Sequence, residues 1–181
     1  MADPLGKAPC AIVVMGVAGS GKTTIGEELA RRLGWSYEDG DKFHPKANVE
    51  KMSAGQPLTD EDRWPWLKAI ADEIDRVCKE KAHLVIGCSA LKRAYRDVLV
   101  HGRDDVRIVY LDGTHDLIDR RLKARKGHFM PPTLLDSQFK TLQPPEPDER
   151  VITVSIDAAV EAIVNDIVRQ LDPDLDDRSN P

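Results

Sequence analysis

The run Val13-Val14-Met15-Gly16-Val17-Ala18-Gly19-Ser20-Gly21-Lys22-Thr23 constrains this chain more than any other stretch. An apolar strand leads into G-x-x-x-x-G-K-[ST], and helical spacing begins near Lys22. That is a phosphate-binding loop with the strand and helix it requires. Glycines at 16, 19 and 21 let the backbone turn successive N–H groups inward on an anion. The helix start adds unpaired donors and the positive end of its dipole. Nucleotide contacts are therefore expected from Gly16, Val17, Ala18, Gly19, Ser20, Gly21, Lys22, Thr23 and Thr24. Lys22 suits the β- and γ-phosphates, and the Thr23 hydroxyl suits a Mg²⁺ ion. A glycine-rich turn that binds nothing is the competing reading, and the strand before and helix after weigh against it.

The rest of the chain alternates strand and helix patterns. Apolar runs at 10–15, 83–88, 106–111 and 151–156 read as buried strands, and 35–38 as a short one. Ile25, Leu29 and Leu33 recur at helical spacing before Gly34, and the final stripe runs from Val160 to Leu171. Thr59 with Asp62 forms a capping-box pattern ahead of Leu67, Ile70, Ile74 and Val77, with Pro65 placed in that helix's first turns. Helices are also expected over 91–100 and around Leu117, Ile118 and Leu122. The pattern predicts an α/β fold of three layers, a parallel sheet of about five strands flanked by helices. One domain over 10–171 is expected, with a flexible arm at 1–9 and an acidic, disordered tail at 172–181.

Composition narrows the function classes. A net charge of −5 over 181 residues argues against a nucleic-acid binder with a broad basic face. No apolar run is long enough to span a bilayer, and the start lacks a signal-peptide core. Three cysteines form no C-x-x-C pair. Cys10 and Cys88 lie in strand-like runs and read as buried free thiols, which places the protein in a reducing cytoplasm.

The strand at 83–88 ends without the aspartate that many phosphate-loop proteins use to hold Mg²⁺. Asp39, at the end of the second strand, is the substitute expected to face the ligand crevice. Asp41 lies two residues on and would share its face on an extended chain. Asp39-Gly40-Asp41 is equally what a plain turn contains. A GTPase switch is disfavoured, because its guanine-specifying [NT]-K-x-D is absent: no lysine is followed two residues later by aspartate.

Taken together, these residues closely resemble the gluconate kinase family, relatives of shikimate kinase. The resemblance covers about residues 10–170. It rests on the phosphate loop, on Asp39-Gly40-Asp41-Lys42-Phe43-His44-Pro45 with Asn48 and Lys51-Met52, and on Gly55 to Leu67. It continues through Cys88-Ser89-Ala90-Leu91-Lys92, Tyr95-Arg96-Asp97, Gly127-His128-Phe129-Met130-Pro131 and Leu134-Leu135-Asp136-Ser137-Gln138-Phe139.

The resemblance implies transfer of the γ-phosphate of ATP, with Mg²⁺, to the 6-hydroxyl of D-gluconate. It implies a homodimer and no nucleic-acid or membrane partner. Lys22, Asp41, Arg63 and Arg125 are the expected catalytic residues, with Asp41 orienting the hydroxyl and accepting its proton. Asp41, His44, Arg63, Lys92 and Arg96 are the expected acceptor contacts, and Thr23 and Asp39 the metal ligands. Arg63 and Arg96 suit the substrate carboxylate because a guanidinium matches it bidentately; solvated surface arginines are the alternative. Residues 121–137 resemble a mobile lid, with Arg121 and Arg125 four apart on one helical face so that both reach the phosphates. Two other readings stay open: a kinase for shikimate or another small polyol acid, and a nucleotide-regulated binding protein that does not turn over.

Overall fold

The computed structural model describes residues 9–125 and 132–171. Its sheet is all parallel and holds β1 (Ala11–Met15), β2 (Ser36–Asp39), β3 (Leu84–Gly87), β4 (Val106–Asp112) and β5 (Ile152–Ser155) in the order β2-β3-β1-β4-β5. Among the described residues the helices are α1 (Lys22–Leu33), α2 (Lys46–Ser53), α3 (Asp60–Lys79), α4 (Arg93–Val100), α5 (His115–Ala124), α6 (Pro132–Thr141) and α7 (Val160–Leu171). None of them is long and apolar enough to cross a membrane.

The period-2 geometry of β1 explains the three layers. Ile12 and Val14 face a core shared with Ile25 and Leu29 of α1 and Val164 and Ile167 of α7. Ala11, Val13 and Met15 face the opposite core, with Leu67, Ile70 and Ile74 of α3 and Tyr95 and Leu99 of α4. A strand sealed on both faces must be apolar at every position, as β1 is. Each fully buried aliphatic side chain is worth about 1.5–3 kcal/mol, so these two cores carry the fold. The chain crosses from β3 on one side of β1 to β4 on the other. A crevice therefore opens at the C-terminal end of β1, where the phosphate loop leaves the sheet.

Local chemistry sets the helix ends. The Thr59 hydroxyl accepts from Asp62 N–H at 3.2 Å, and the Asp62 carboxylate accepts from Thr59 N–H at 2.9 Å. Lys51 adds a 2.8 Å contact to Asp62, and these bonds hold that carboxyl at about 2. Pro65 is the sixth residue of α3, in its second turn, and α3 runs through it.

Four expectations need correction. The helix expected from residue 91 starts at Arg93, because Ala90 takes a positive φ and the chain before it wraps a buried side chain. Helix α6 is an addition: Pro131-Pro132 reads as a breaker, yet proline is well suited to a first helical position. Asp41 lies in a short 3-10 turn (Gly40–Phe43), so the extended-strand spacing to Asp39 does not hold. Cys10 is no free thiol; it forms a disulfide with Cys78, 68 residues away, joining the start of β1 to the end of α3. Cys88 is free and fully buried, and that burial pushes its thiol up to about 12. The arm through residue 8, the tail from 172, and Gly127, His128, Phe129, Met130 and Pro131 lie outside the described residues.

Candidate active site

The loop after β1 does what its glycines allow. Gly19 and Gly21 take φ of +80° and +97°, conformations that side chains with a Cβ rarely adopt. Gly21 caps α1, and Lys22 opens it. Lys22 Nζ donates to the carbonyls of Gly16 at 3.0 Å and Val17 at 3.1 Å, folding the side chain over its own loop. Burial lowers the Lys22 pKa, while the carboxylates of Asp41 and Asp39 oppose that shift. Ser20 and Val17 are buried beneath the loop, whereas Thr23 and Thr24 are exposed on the first turn of α1.

A cleft of about 210 Å³ opens here. Ala18, Lys22, Thr23, Asp39, Asp41 and Arg125 are among the residues that line it. The Asp39-Gly40-Asp41 segment is indeed a turn, and it also forms this wall. Asp39 Oδ1 accepts from Asp41 N–H at 2.9 Å, which closes the turn and turns both carboxylates to the cleft. Gly40 has no substitute, because a Cβ there would lie 2.4 Å from the Gly87 carbonyl on β3.

Behind Asp41 stands a stacked pair of rings. His44 lies on Trp66 with ring centroids 4.1 Å apart, and Trp66 Nε1 donates to the Gly40 carbonyl at 2.8 Å. His44 Nε2 stands 4.0 Å from Asp41 Oδ1, and its Nδ1 is 3.2 Å from buried Asn48 Nδ2. Burial lowers the His44 pKa, Asp41 opposes that, and the nearby Arg63 cation adds to it. His44 is thus a neutral ring held beside Asp41.

Arg63 Nη1 donates to Tyr95 Oη at 2.9 Å, and Tyr95 Oη donates to Asp60 Oδ1 at 2.5 Å. Lys92 Nζ reaches both oxygens of Asp60, at 3.1 and 3.3 Å. Hydrogen bonds from Tyr95 and Lys92 hold the Asp60 carboxyl below the usual carboxylate range. Two cations are therefore fixed around one buried phenol, and one of them, Arg63, acts electrostatically on His44.

Two arginines stand elsewhere. Arg96 is 1% exposed, with Nε and Nη2 on Glu149 and Nη1 on the carbonyls of Ala90 and Leu91. Every face of its guanidinium is engaged, so the expectation that it binds a substrate carboxylate is corrected. Arg121 Nη2 donates to the Ile156 carbonyl at 2.6 Å, at the end of β5. Arg125 follows α5 on extended backbone and lines the cleft, so the two arginines do not share a helical face. A larger hollow of about 420 Å³ lies at the opposite end of the sheet. Three of the five arginines that line it, 93, 96 and 103, are ion-paired within the fold.

Residues 18–171 match the shikimate kinase family. A probable gluconokinase from Xenopus tropicalis is 46% identical over 176 residues, covering 89% of this chain and 93% of that protein. The chain belongs to the gluconokinase family, within the wider shikimate kinase family. The gluconokinase of Gluconobacter oxydans strain 621H is also 46% identical, over 91% of this chain and 93% of its own. A crystal structure of a gluconokinase from Sinorhizobium meliloti 1021 superposes with a TM-score of 0.83 at 39% identity, covering 96% of this chain and 99% of that one. The three-layer P-loop kinase fold expected from the sequence is thereby established for this family member.

Tyr37, Trp66, Asp60, Tyr95 and Gln138 carry no role in the sequence reading. Trp66 and Tyr95 stand there only inside the motifs of the resemblance, and both are buried. Only the structure shows that one carries His44 and the other carries Arg63.

Proposed function

We propose that the protein is a gluconokinase, an ATP-dependent sugar-acid kinase that phosphorylates the 6-hydroxyl of D-gluconate. The observation that carries this reading is the placement of Asp41. It shares one cleft with Lys22 and Thr23 on the nucleotide side, and contacts His44 on the acceptor side. An acceptor hydroxyl placed at Asp41 faces a phosphoryl group held by the loop, the in-line arrangement that transfer needs.

Each residue has a defined task. The loop N–H groups beyond Ala18 and the Lys22 ammonium hold the nucleotide phosphates, and Lys22 leaves its two carbonyl partners to do so. Arg125 adds positive charge at the open side of the cleft. Asp41 orients the 6-hydroxyl and accepts its proton. Neutral His44 donates or accepts at a neighbouring hydroxyl, since a polyol presents both. Arg63 and Lys92 attract the carboxylate at the far end of the chain, which sets the length of acceptor that fits.

Thr23, Asp39 and Asp41 form an all-oxygen donor set on this cleft, which suits Mg²⁺. When bound, that ion supplies neutralisation of phosphate charge, and Thr23 and Asp39 would hold it. ATP as the phosphoryl donor supports a cytoplasmic location, whereas the Cys10–Cys78 disulfide removes the free-thiol argument for one. A coupled assay for ADP release tests the reading, run with gluconate, its epimers, shikimate and no acceptor. Release that depends on gluconate supports it. Equal release without acceptor, or a preference for shikimate, would overturn it.

A further inference from the structure

Helix α6 carries Leu135 and Phe139 toward the core, Leu142 follows just past its end, and Gln138 shares their face at helical spacing. A carboxamide on a core-facing stripe calls for partners. Its Oε1 accepts the Ala18 N–H at 2.6 Å, across 120 residues of sequence. Because a backbone N–H can only donate, the atom beside it is the carboxamide oxygen. The two Nε2 hydrogens then point away from Ala18, and they have no partner among the described residues. The neighbouring loop is fixed from the same side, since a Cβ on Gly19 would lie 2.7 Å from Leu122 of α5. His115 Nε2 and Asp136 Oδ1, 2.6 Å apart, brace α5 against α6. Gln138 is thus a rigidly mounted side chain, anchored through its acceptor and with both donors free beside a phosphate-binding loop.

We propose that Gln138 is a further catalytic residue, whose Nε2 donates to the terminal phosphoryl group of the nucleotide during transfer. This rests on the kinase reading above. A loose phosphoryl transition state spreads negative charge over the equatorial oxygens, and a fixed neutral donor stabilises that charge without reorganising. The bond to Ala18 supplies the fixing. No proton or bond is exchanged at Gln138; it only donates hydrogen bonds.

Gln138→Glu keeps an acceptor for Ala18 and removes the donors, while Gln138→Met removes both at similar volume. The readouts are kcat with ATP and gluconate, the affinities for ADP and a non-hydrolysable ATP analogue, and thermal unfolding. Both variants are expected to lose kcat by roughly 10–100-fold. The triphosphate analogue should weaken in both by a larger factor than ADP, which lacks the group that Gln138 contacts. A kcat within about threefold of wild type in both variants would overturn the proposal, since a lost donor to a charged group costs more. So would equal losses for ADP and the analogue, which mark a latch that merely shapes the loop. If the Met variant unfolds, the Glu variant and Gln138→Asn, whose amide is too short to span both, decide by the same comparison. The two nucleotide affinities need no acceptor, so they test Gln138 even if gluconate proves not to be the substrate.

Discussion

Arg96 Nε and Nη2 donate to the two carboxylate oxygens of Glu149 at 2.7 and 3.2 Å, with side chains 1% and 6% exposed. Burial alone would raise the Glu149 pKa. Hydrogen bonds from Arg96 and the Glu146 amide overcome it and leave the carboxyl lowered. The pair ties α4 to the loop before β5, away from the cleft.

Removing one member of a buried pair strands the other, at about 3–5 kcal/mol. Arg96→Ala should therefore destabilise the fold by that amount in denaturant unfolding while leaving KM for gluconate unchanged at a temperature where it stays folded. Kinetics and urea melts check this. An Arg96→Ala protein of wild-type stability with a raised KM would return Arg96 to the acceptor site.

Arg63→Ala should act differently. Its partner Tyr95 can keep its bond to Asp60, so the loss falls on binding. A charge-assisted contact to a carboxylate is worth about 1.5–3 kcal/mol, so KM for gluconate should rise roughly 10–150-fold and KM for ATP far less. Lys92→Ala should show the same selectivity. Equal effects on both substrates would assign these cations to the phosphates.

The two aspartates at β2 separate by their metal response. Asp39→Asn should weaken activation by Mg²⁺, and added Mg²⁺ should recover part of the rate. Asp41→Asn should cut kcat by about 10²–10³-fold with ATP affinity nearly intact, and Mg²⁺ should not rescue it. Rates measured against Mg²⁺ concentration decide, and identical responses would end the division of labour.

The fold was largely legible because its strongest signals are local. A continuous apolar run before G-x-x-x-x-G-K-T, with helix and strand patterns alternating after it, leaves few alternatives to a parallel three-layer sheet. Two misreadings were non-local, and two were local ambiguities: the turn at Asp41 and the start of α6. Nothing in the neighbourhood of Arg96 distinguishes an arginine that folds onto Glu149 from one that clamps a ligand. Cys10 and Cys78 meet only because α3 returns along β1. Helix α6 hides behind Pro131-Pro132, a pair that can close one helix or open the next. The candidate site was legible where one motif carries it, as at Lys22 and Asp41. Arg63 and Lys92 were also named, but their mounting was opaque, because it depends on Asp60 of α3 and Tyr95 of α4 meeting across the chain.

The Cys10–Cys78 cross-link sits at the N-terminal end of β1, opposite the phosphate loop. Closing a loop of this length stabilises by about 2–4 kcal/mol. Reduction, or Cys78→Ser, should therefore lower the unfolding free energy by that amount and leave kcat unchanged. An unchanged unfolding midpoint would show that the link adds no stability.

Proton-coupled phosphorus NMR of the product reads which hydroxyl of gluconate takes the phosphate of ATP, because an ester at the primary C6 hydroxyl couples to the two protons of that carbon and one at a secondary hydroxyl couples to a single proton. Phosphorylation of the terminal hydroxyl at the Lys22–Asp41 cleft gives a triplet that grows in step with ADP and is absent with Lys22→Ala. A doublet, or no new signals beyond those of ADP and inorganic phosphate, would overturn it.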